Sequence, residues 1–452
     1  MKEGNQPVSD MTGEVTDLLQ HLIRNACVND GTEASGHESL SADVLAAYLD
    51  GSGLDLERFE PIPGRANLVA RLSGSDPAAP TLLLMGHTDV VPANPDRWRN
   101  DPFGGELIDG EVWGRGAVDM LNLTASMAVA AKRAAAGRPP RGTLVYLAVA
   151  DEEALGAHGA GWMLEHAPDA VAADHVVTES GGYRLPVPSA SGPKLPVIVA
   201  EKGSYWCTIR VRGTPGHASM PLRTDNALVK AAEVVTRLSR ARPEARIDDG
   251  WRRFVQGLDL PPDDERDLLD PQRLDGYCRR IEDVGWARTV HASTHMTVAP
   301  TIAHGGVKTN VIPDTVELQV DVRTLPGETG ADVRAMLDEA LGDLRGEVEV
   351  VSDSDEEASA SPVDTPLWDS LARVTRALAP DATLVPVITV GATDSRFFRR
   401  RGVPAYGYGL FSRRIGFGEF MGMFHGDDER IDQESLRLST ELWEALIQDY
   451  LG

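Results

Sequence analysis

Three apolar segments that end in histidine or acidic side chains constrain the fold of this chain more than any other feature. Residues 82–85 lead to His87 and Asp89, residues 143–150 lead to three consecutive acidic residues, and residues 175–178 lead to Glu179. Continuous apolar runs are typical of strands buried on both faces, and such strands occur in parallel sheets covered by helices. Ligands of open α/β sheets bind at the carboxyl ends of the strands. The chemistry is therefore predicted at one edge of a parallel sheet.

The side chains at this edge favour a metal site. Asp119 follows a glycine-punctuated turn and precedes an alanine-rich segment. It is expected at the same sheet edge as His87, Glu179 and the acidic residues 151–153. Crowded carboxylates repel one another, and burying them without partners is costly. A divalent cation removes that conflict, and imidazole with carboxylate ligands suits Zn²⁺, with Co²⁺ or Mn²⁺ as substitutes. The pattern indicates a metal-dependent hydrolase.

The composition limits the possible partners. The chain has 452 residues, enough for two or three domains, and a formal charge of −25, which would repel nucleic acid and anionic membranes. Its three cysteines are widely spaced and are expected to be reduced and buried. No apolar run approaches the ~20 residues that span a bilayer. Residues 1–6 lack the apolar core of a signal peptide, so a cytoplasmic location is expected.

The order of predicted elements divides the chain into two domains. Strands and helices alternate to about residue 200, which predicts an α/β catalytic domain with a mostly parallel central sheet flanked by helices. A later β-α-β-β-α-β order predicts an inserted α+β ferredoxin-like lid. The expected division is 1–201 with 358–452 against 202–357.

Two segments of the lid are expected to be irregular. Residues 241–290 are rich in Asp, Arg and Pro and predict an irregular, partly helical insertion. Residues 352–359 are acidic and lack apolar periodicity, so they are expected to form a solvated linker.

Seven blocks together resemble the co-catalytic zinc exopeptidase family, which includes aminoacylase, acetylornithine deacetylase, succinyl-diaminopimelate desuccinylase and the G-type glutamate carboxypeptidases. The blocks extend over nearly the whole chain, and the long insertion looks most like the aminoacylase branch. The matching blocks are Gly86–Pro92, Gly114–Met120, Asp151–Glu153, Glu179–Gly182, Gly213–Pro221, Thr309–Pro313 and Phe424–Glu429.

The resemblance implies two metal ions. Asp119 would bridge them, His87 and Glu179 would complete the ligands of one, and Glu153 and His425 those of the other. It also implies a phosphorylase/hydrolase-like catalytic fold.

The resemblance implies further roles around the metals. Glu152 would be the general acid and base that activates a metal-bridging water, and Asp89 would orient His87. The Asp119–Met120 peptide is expected to be cis. Many relatives have lysine where this chain has Leu121, a departure that removes a cation but no ligand.

Two lid residues would complete the site across a dimer. In the family, the histidine matching His217 reaches into the partner subunit's active site and stabilises the tetrahedral oxyanion, and Asn310 would assist it. The lid sheet is also the family's dimerisation surface. A homodimer with composite active sites is therefore expected, with lid closure as part of turnover.

The substrate is expected to carry a free carboxylate. Arg323, Gly391 and Thr393 match positions that bind this group, and a guanidinium offers it a bidentate pair. N-acyl amino acids, dipeptides or C-terminal residues of short peptides would then be the substrates.

Two other functions stay open at the sequence level. An aminopeptidase acting on free N-termini would need an acidic pocket in place of Arg323. A catalytically inactive metal-binding scaffold would be favoured by missing ligands, and none is missing. The eight other histidines match no ligand position, and none is expected to bind catalytic metal: His21, His37, His158, His166, His175, His291, His295 and His304.

Overall fold

The computed structural model describes residues 11–187 and 189–452. The chain forms two compact units, of which the first comprises residues 1–199, 361–386 and 393–452, and the second residues 200–360 and 387–392. The sequence prediction kept residues 387–392 in the catalytic domain. Residues 1–6, on which the expectation about a signal peptide rests, lie outside the described residues.

The described residues form eighteen strands and fourteen α-helices. The strands are β1 (Asp55–Ile62), β2 (Arg65–Leu72), β3 (Thr81–His87), β4 (Glu106–Ile108), β5 (Glu111–Trp113), β6 (Thr143–Val149), β7 (His175–Thr178), β8 (Lys194–Glu201), β9 (Gly203–Arg212), β10 (Gly216–His217), β11 (Thr297–Gly305), β12 (Val311–Ile312), β13 (Thr315–Thr324), β14 (Val348–Glu356), β15 (Ser359–Ala360), β16 (Thr383–Thr389), β17 (Ala405–Gly407) and β18 (Arg430–Asp432). The helices are α1 (Met11–Arg24), α2 (Ser39–Leu49), α3 (Leu121–Ala136), α4 (Ala160–His166), α5 (Ala227–Arg240), α6 (Asp249–Leu258), α7 (Pro262–Leu268), α8 (Pro271–Arg280), α9 (Val284–Thr294), α10 (Gly330–Leu341), α11 (Pro366–Leu378), α12 (Ser395–Arg399), α13 (Phe417–Met423) and α14 (Gln433–Leu451).

A mixed sheet forms the centre of the first unit. Its strands lie in the order β1-β2-β6-β3-β7-β17-β8, and β16 pairs with β8. The central strands β6, β3, β7 and β17 are parallel, whereas the pairs β1/β2, β2/β6 and β17/β8 are antiparallel. The predicted α/β class is confirmed. The three apolar runs of the sequence are β3, β6 and β7, at the parallel centre of the sheet.

Helix α3 is packed between the sheet and the outer helices of the first unit. Every residue from Leu121 to Ala131 is buried, since α3 contacts β3 on one side and α1 and α14 on the other. A Cβ atom on Gly86 would lie 2.4 Å from the Thr124 hydroxyl oxygen, so this close approach requires glycine in β3. Because α3 begins two residues after Asp119, its packing helps to fix the position of Asp119.

The second unit has the predicted ferredoxin-like topology. Its antiparallel sheet has the strand order β11-β13-β9-β14, and helices α5 and α10 connect the strands in a β-α-β-β-α-β sequence. Strand β9 buries alternate residues, and its inward side chains Tyr205, Cys207, Ile209 and Val211 pack in one core with those of α5 and α10. A sheet with one covered face explains this alternation.

One local prediction for the second unit is right in part and another is wrong. The insertion expected to be irregular and partly helical is helical over most of its length and forms α6 to α9, with an apolar interior that includes Trp251, Phe254 and Leu274. The segment 352–356, expected to belong to a linker, continues β14 and pairs with β9.

The cysteine prediction is confirmed in part. Cys27 and Cys207 are free and buried, and Cys278 is free and half-buried. Among the described residues, no helix combines the length and the apolar character needed to cross a bilayer.

Candidate metal centre

Five side chains from five separate segments of the first unit converge at the carboxyl edge of its sheet. His87 ends β3, Glu153 lies in the 3₁₀ turn that follows β6, and Glu179 follows β7. Asp119 precedes α3, and His425 follows α13. His87, Glu153 and Glu179 lie together because β3, β6 and β7 are parallel and end at the same edge of the sheet. Together they are called the metal centre below.

The five residues form two groups of ligand atoms that share Asp119. In the first group, His87 Nε2 lies 3.2 Å from Asp119 Oδ1 and 3.9 Å from Glu179 Oε2. In the second, His425 Nε2 lies 3.3 Å from Asp119 Oδ2 and 3.2 Å from Glu153 Oε2. The ligand atoms within each group lie within 4.8 Å of one another. One carboxylate therefore offers a separate oxygen to each group.

These distances fit a pair of divalent cations. Ligand atoms bound at ~2.0–2.2 Å in a tetrahedral arrangement lie roughly 3.3–3.6 Å apart. The donors are imidazole nitrogens and carboxylate oxygens, and Glu153 Oε1 is buried without a hydrogen-bond partner among the described residues. A buried carboxylate oxygen without a partner is costly unless a cation or proton satisfies it. The predicted metal-ligand set is thus assembled in one place.

The charges of the metal centre shift its pKa values. Burial raises the pKa of Glu179 and of Glu153, and the nearby Asp119 charge adds to both increases. Hydrogen bonds to Asp119 and Glu153 raise the pKa of His425 to about 10. Burial opposes protonation of His87, but the hydrogen bond to Asp119 and the charge of Glu179 outweigh it and raise the His87 pKa. Without cations, the raised pKa values mean that the histidines and glutamates of the metal centre bind protons more readily than they would in water.

Glu152 lies beside the metal centre but belongs to neither ligand group. Its neighbour Glu153 points to His425, and consecutive residues of the turn direct their side chains differently. Burial, followed by the charge of Glu179, raises the pKa of Glu152 well above its ordinary value. A carboxyl group whose pKa is raised towards neutrality can both accept and return a proton.

Asp89 supports the centre through its backbone and its carboxylate. Its main-chain oxygen lies 2.9 Å from His87 Nδ1, whereas its carboxylate oxygen lies 3.6 Å from that nitrogen. The two carboxylate oxygens accept hydrogen bonds from the backbone N–H groups of Glu152 at 3.2 Å and Glu153 at 3.1 Å, and Asn29 Nδ2 donates a further bond at 2.8 Å. Asp89 therefore contacts both His87 and the turn that carries the two glutamates.

Glu429 is a supporting residue to which the sequence reasoning gave no role. It is completely buried, accepts hydrogen bonds from the backbone N–H groups of Gly116, Val118 and Asp119 at 3.0, 2.7 and 2.9 Å, and pairs with Arg115 Nη1 at 2.9 Å. The carboxylate thereby holds the loop that ends at Asp119. Its position in the block after His425 was the only signal in the sequence.

A buried ion-pair network lies behind the acidic turn. Arg65 Nε lies 2.7 Å from Glu38 Oε2, and Arg65 Nη2 lies 2.6 Å from Asp151 Oδ1. Asn29 Nδ2 lies 3.3 Å from the same Asp151 oxygen and joins this network to Asp89. No local pattern around residues 38 and 65 marks them as partners.

The Asp119–Met120 peptide bond is cis, as the resemblance implied. The peptide lies between the loop held by Glu429 and the first turn of α3. The expected backbone geometry beside the bridging ligand is therefore present.

Within the second unit, His217 and Asn310 lie close together. His217 is in β10, which pairs with β12, and the backbone N–H of Ala218 donates to the main-chain oxygen of Asn310 at 3.1 Å. His217 is exposed, and its Nδ1 accepts the backbone N–H of Ser219 at 3.2 Å. Because an N–H group can only donate, Nδ1 of the neutral ring is unprotonated and Nε2 carries the hydrogen.

The residues matched to substrate binding lie in separate surroundings. Arg323, in β13, forms a bidentate pair with Asp321, with Nε and Nη2 at 2.8 and 3.1 Å from its two oxygens. Gly391 is exposed in the second unit. Thr393 is buried in the first unit, where its hydroxyl oxygen accepts the backbone N–H of Ser395 at 3.2 Å. Their contact with substrate stays a prediction.

The chain is similar in sequence and in fold to known hydrolases. A family model described as peptidase family M20/M25/M40 matches residues 83–449. An N-fatty-acyl-amino acid synthase/hydrolase of Xenopus tropicalis is 28% identical over 87% of this chain and 77% of the relative. A succinyl-diaminopimelate desuccinylase of Cereibacter sphaeroides is 27% identical over 96% of this chain and 98% of the relative. The crystal structure of an M20 family metallo-carboxypeptidase from Sulfolobus solfataricus matches 98% of this chain and 99% of that chain, with 16% identity and a TM-score of 0.72.

Proposed function

Since the chain belongs to peptidase family M20/M25/M40 and is a metal-dependent hydrolase of amide bonds, we propose that it cleaves N-acyl amino acids, dipeptides or C-terminal residues of short peptides that carry a free carboxylate. The observation that carries the proposal is the convergence of two ligand groups on the two oxygens of Asp119, with Glu152 beside them. Two relatives are named for N-acylated amino acids, a fatty-acyl and a succinyl derivative.

The proposed chemistry assigns one task to each residue. Two divalent cations, when bound, lower the pKa of a water molecule and polarise the amide carbonyl. Glu152 takes the proton from the attacking water and passes it to the leaving amine, a step for which its raised pKa is suited. Asp89 holds the turn that carries Glu152 by accepting its backbone N–H.

His217 is the proposed donor to the oxyanion. Its Nδ1 accepts from Ser219, which leaves the Nε2–H group as a hydrogen-bond donor. Such a donor stabilises the negative oxygen that develops as the carbonyl carbon becomes tetrahedral. Asn310 directly precedes β12, the strand that pairs with β10, and is proposed to assist.

The free carboxylate is proposed to be recognised by Arg323, Gly391 and Thr393. Arg323 already pairs with Asp321, so a substrate carboxylate would share or replace that partner. A guanidinium can bind carboxylates on two edges because it has five N–H donors.

Zinc is the proposed cation, and the proposed assembly is a homodimer. Imidazole and carboxylate donors suit Zn²⁺, with Co²⁺ or Mn²⁺ as substitutes. The homodimer is supported by β11, an edge strand of the second unit's sheet, and by the exposed apolar residues Leu228 and Val229 of the adjacent α5. The free cysteines support the proposed cytoplasmic location.

A substrate panel with matched variants tests the proposal. N-acetyl, N-succinyl and N-fatty-acyl amino acids and dipeptides are assayed with Zn²⁺ or Co²⁺, for the native chain, for Glu152→Gln and for Glu165→Gln. Glu165 is an exposed residue of α4 and serves as the control. Glu152→Gln is expected to lower kcat by about 10²–10⁴-fold with its metal content unchanged. Native turnover by Glu152→Gln would refute the assignment.

An aminopeptidase is the second candidate, and Asp394 favours it. Asp394 is buried, neither carboxylate oxygen has a hydrogen-bond partner among the described residues, and its charge acts on Glu152. An unpaired acidic group near the scissile bond could bind a substrate ammonium. Asp394→Asn should then weaken cleavage of dipeptides but not of N-acetyl amino acids, whereas Arg323→Gln should weaken both if the first proposal holds.

A further inference from the structure

A third group of ligand atoms lies in the helical insertion of the second unit. Asp275, His291 and His295 each contribute one nitrogen or oxygen atom, and these atoms lie within 4.8 Å of one another. None of the three belongs to the metal centre or matches a ligand position of the resemblance. They are called the insertion cluster below.

Two packed helices build the insertion cluster. Asp275 lies in α8, which packs against α9. His291 is in the last turn of α9 and His295 follows its end, four residues later, so the two side chains lie on the same face. Their rings stack with centroids 4.2 Å apart and an angle of 7° between the planes. Asp275 Oδ1 lies 3.5 Å from His295 Nε2.

The hydrogen bonds of His295 fix which nitrogen is available. His295 Nδ1 lies 3.0 Å from the main-chain oxygen of His291, which can only accept, so Nδ1 carries the hydrogen. The lone pair of a neutral ring is then on Nε2, which faces the Asp275 carboxylate. Two acceptors that face each other repel unless a proton or a cation lies between them. Metal-binding histidines commonly donate their second ring N–H to a main-chain carbonyl in this way.

The surroundings disfavour the proton. His295 is buried and His291 is half-buried, and burial disfavours the charged form of an imidazole. The buried ammonium of Lys202 donates to the main-chain oxygens of Ala292 at 2.8 Å and His295 at 2.7 Å, and these carbonyls compensate part of its charge. Neutral imidazoles are the form that binds metal.

We propose that Asp275, His291 and His295 bind one transition-metal cation, best represented by Zn²⁺, that joins α8 to the end of α9. Two imidazoles and one carboxylate are a nitrogen and oxygen set that suits zinc, nickel or cobalt. The Asp275 side chain is 41% exposed, so ions can enter from solvent and water can complete the coordination. The cation stabilises the helical insertion and has no part in amide hydrolysis.

Metal content in a background without the hydrolytic pair tests this site. Asp119→Ala removes the carboxylate that both hydrolytic ligand groups share. The full-length variant is stripped with chelator, loaded with Zn²⁺, desalted and analysed for zinc per chain. It is compared with the same variant carrying His291→Ala, and with a control carrying His304→Ala, which changes an exposed histidine of β11 in the same unit.

The expected result is a loss of one zinc equivalent in the His291→Ala protein relative to the His304→Ala control. Asp275→Asn, a near-isosteric change of a half-exposed residue, should cause the same loss, and equal far-UV circular dichroism of the metal-free proteins shows that the fold is kept. Co²⁺ should give visible absorption bands in the Asp119→Ala protein that disappear with His291→Ala. Equal zinc content in all four proteins, or no zinc in the Asp119→Ala protein, would overturn the proposal.

Discussion

Replacing Glu429 by glutamine should destabilise the protein and weaken its metal centre together. Each carboxylate oxygen of Glu429 accepts two hydrogen bonds, Oε1 from Val118 and Asp119 and Oε2 from Gly116 and Arg115. A glutamine amide would place its NH₂ group against two donors in either orientation. At least two hydrogen bonds to a charged acceptor are lost, each worth about 1.5–3 kcal/mol.

The buried Arg115 adds to this cost. Its guanidinium is almost fully buried, so removal of the Glu429 charge leaves it without its anionic partner. Breaking a buried pair on one side costs about 3–5 kcal/mol. The hydrogen-bond estimate and the ion-pair estimate describe the same contacts and are not added. The expected loss in the free energy of unfolding is about 4 kcal/mol. In a unit of this size such a loss lowers Tm by about 5–10 °C.

The assay separates stability from metal binding. Tm is measured on chelator-treated protein, so that bound metal does not contribute, and zinc affinity is measured separately by competition with an indicator. Zinc affinity should fall by about 10–100-fold, since Glu429 fixes the backbone of Asp119. Glu441→Gln is the control, because Glu441 forms a half-exposed pair with Arg437 worth about 0–1 kcal/mol. A Tm for Glu429→Gln within about 2 °C of the control would refute the reasoning.

Three further predictions concern Gly407, the acidic ligands of the metal centre and Ser219. Gly407→Ala should lower the free energy of unfolding by about 1–3 kcal/mol and reduce zinc affinity, since the new Cβ would lie 2.0 Å from the Glu179 main-chain oxygen. The control Gly418→Ala, with open space around its Cβ, should leave the melting curve and the zinc titration unchanged. In chelator-treated protein the pKa values of Glu153 and Glu179 are raised by burial. The folded chain then binds more protons than the unfolded chain above about pH 4.5, so Tm should fall as the pH rises from 5 to 8, and a Tm that rises over this range would contradict the prediction. Ser219→Ala should lower kcat severalfold with little change in KM, because the Ser219 hydroxyl lies 2.7 Å from His217 Nδ1. An unchanged kcat measured with saturating substrate would contradict the proposed role of His217.

The parallel centre of the first unit was predictable because burial on both faces leaves a direct mark on the sequence. β3, β6 and β7 are continuous apolar runs, and the residues at their ends reach one edge whatever the details of the connecting helices. The antiparallel strand β8 contains a similar apolar run over residues 195–200, so apolar character alone does not give the direction of a strand. Strand direction depends on the path of the connections, which hydrophobic periodicity does not encode.

The wrong prediction and the partly wrong prediction for the second unit have different physical causes. Residues 352–356 are polar because β14 is an edge strand of a sheet with one wet face, so pairing with β9 needs no apolar side chains. In the insertion, the Asp and Pro residues taken as signs of irregularity are helix-start residues. Asp248, Asp270 and Asp283 cap α6, α8 and α9 through their side chains, and Pro271 is at the first position of α8.

The ligands of the metal centre could be predicted, but the residues that hold them could not, because different constraints act on their positions in the sequence. A ligand must lie where a strand ends, and its type is restricted to a few side chains. A supporting residue needs only to bring a charge to a buried backbone, from any part of the chain. Glu429 is 310 residues away in sequence from Asp119, whose backbone N–H it accepts, and Arg65 is 86 residues away from Asp151. Such charges are costly to bury singly and become stable only when the complete fold brings their partners to them. Their energetic contribution therefore belongs to the tertiary structure, and a substitution at Glu429 should disturb Asp119 as strongly as a change in its immediate neighbours in the chain.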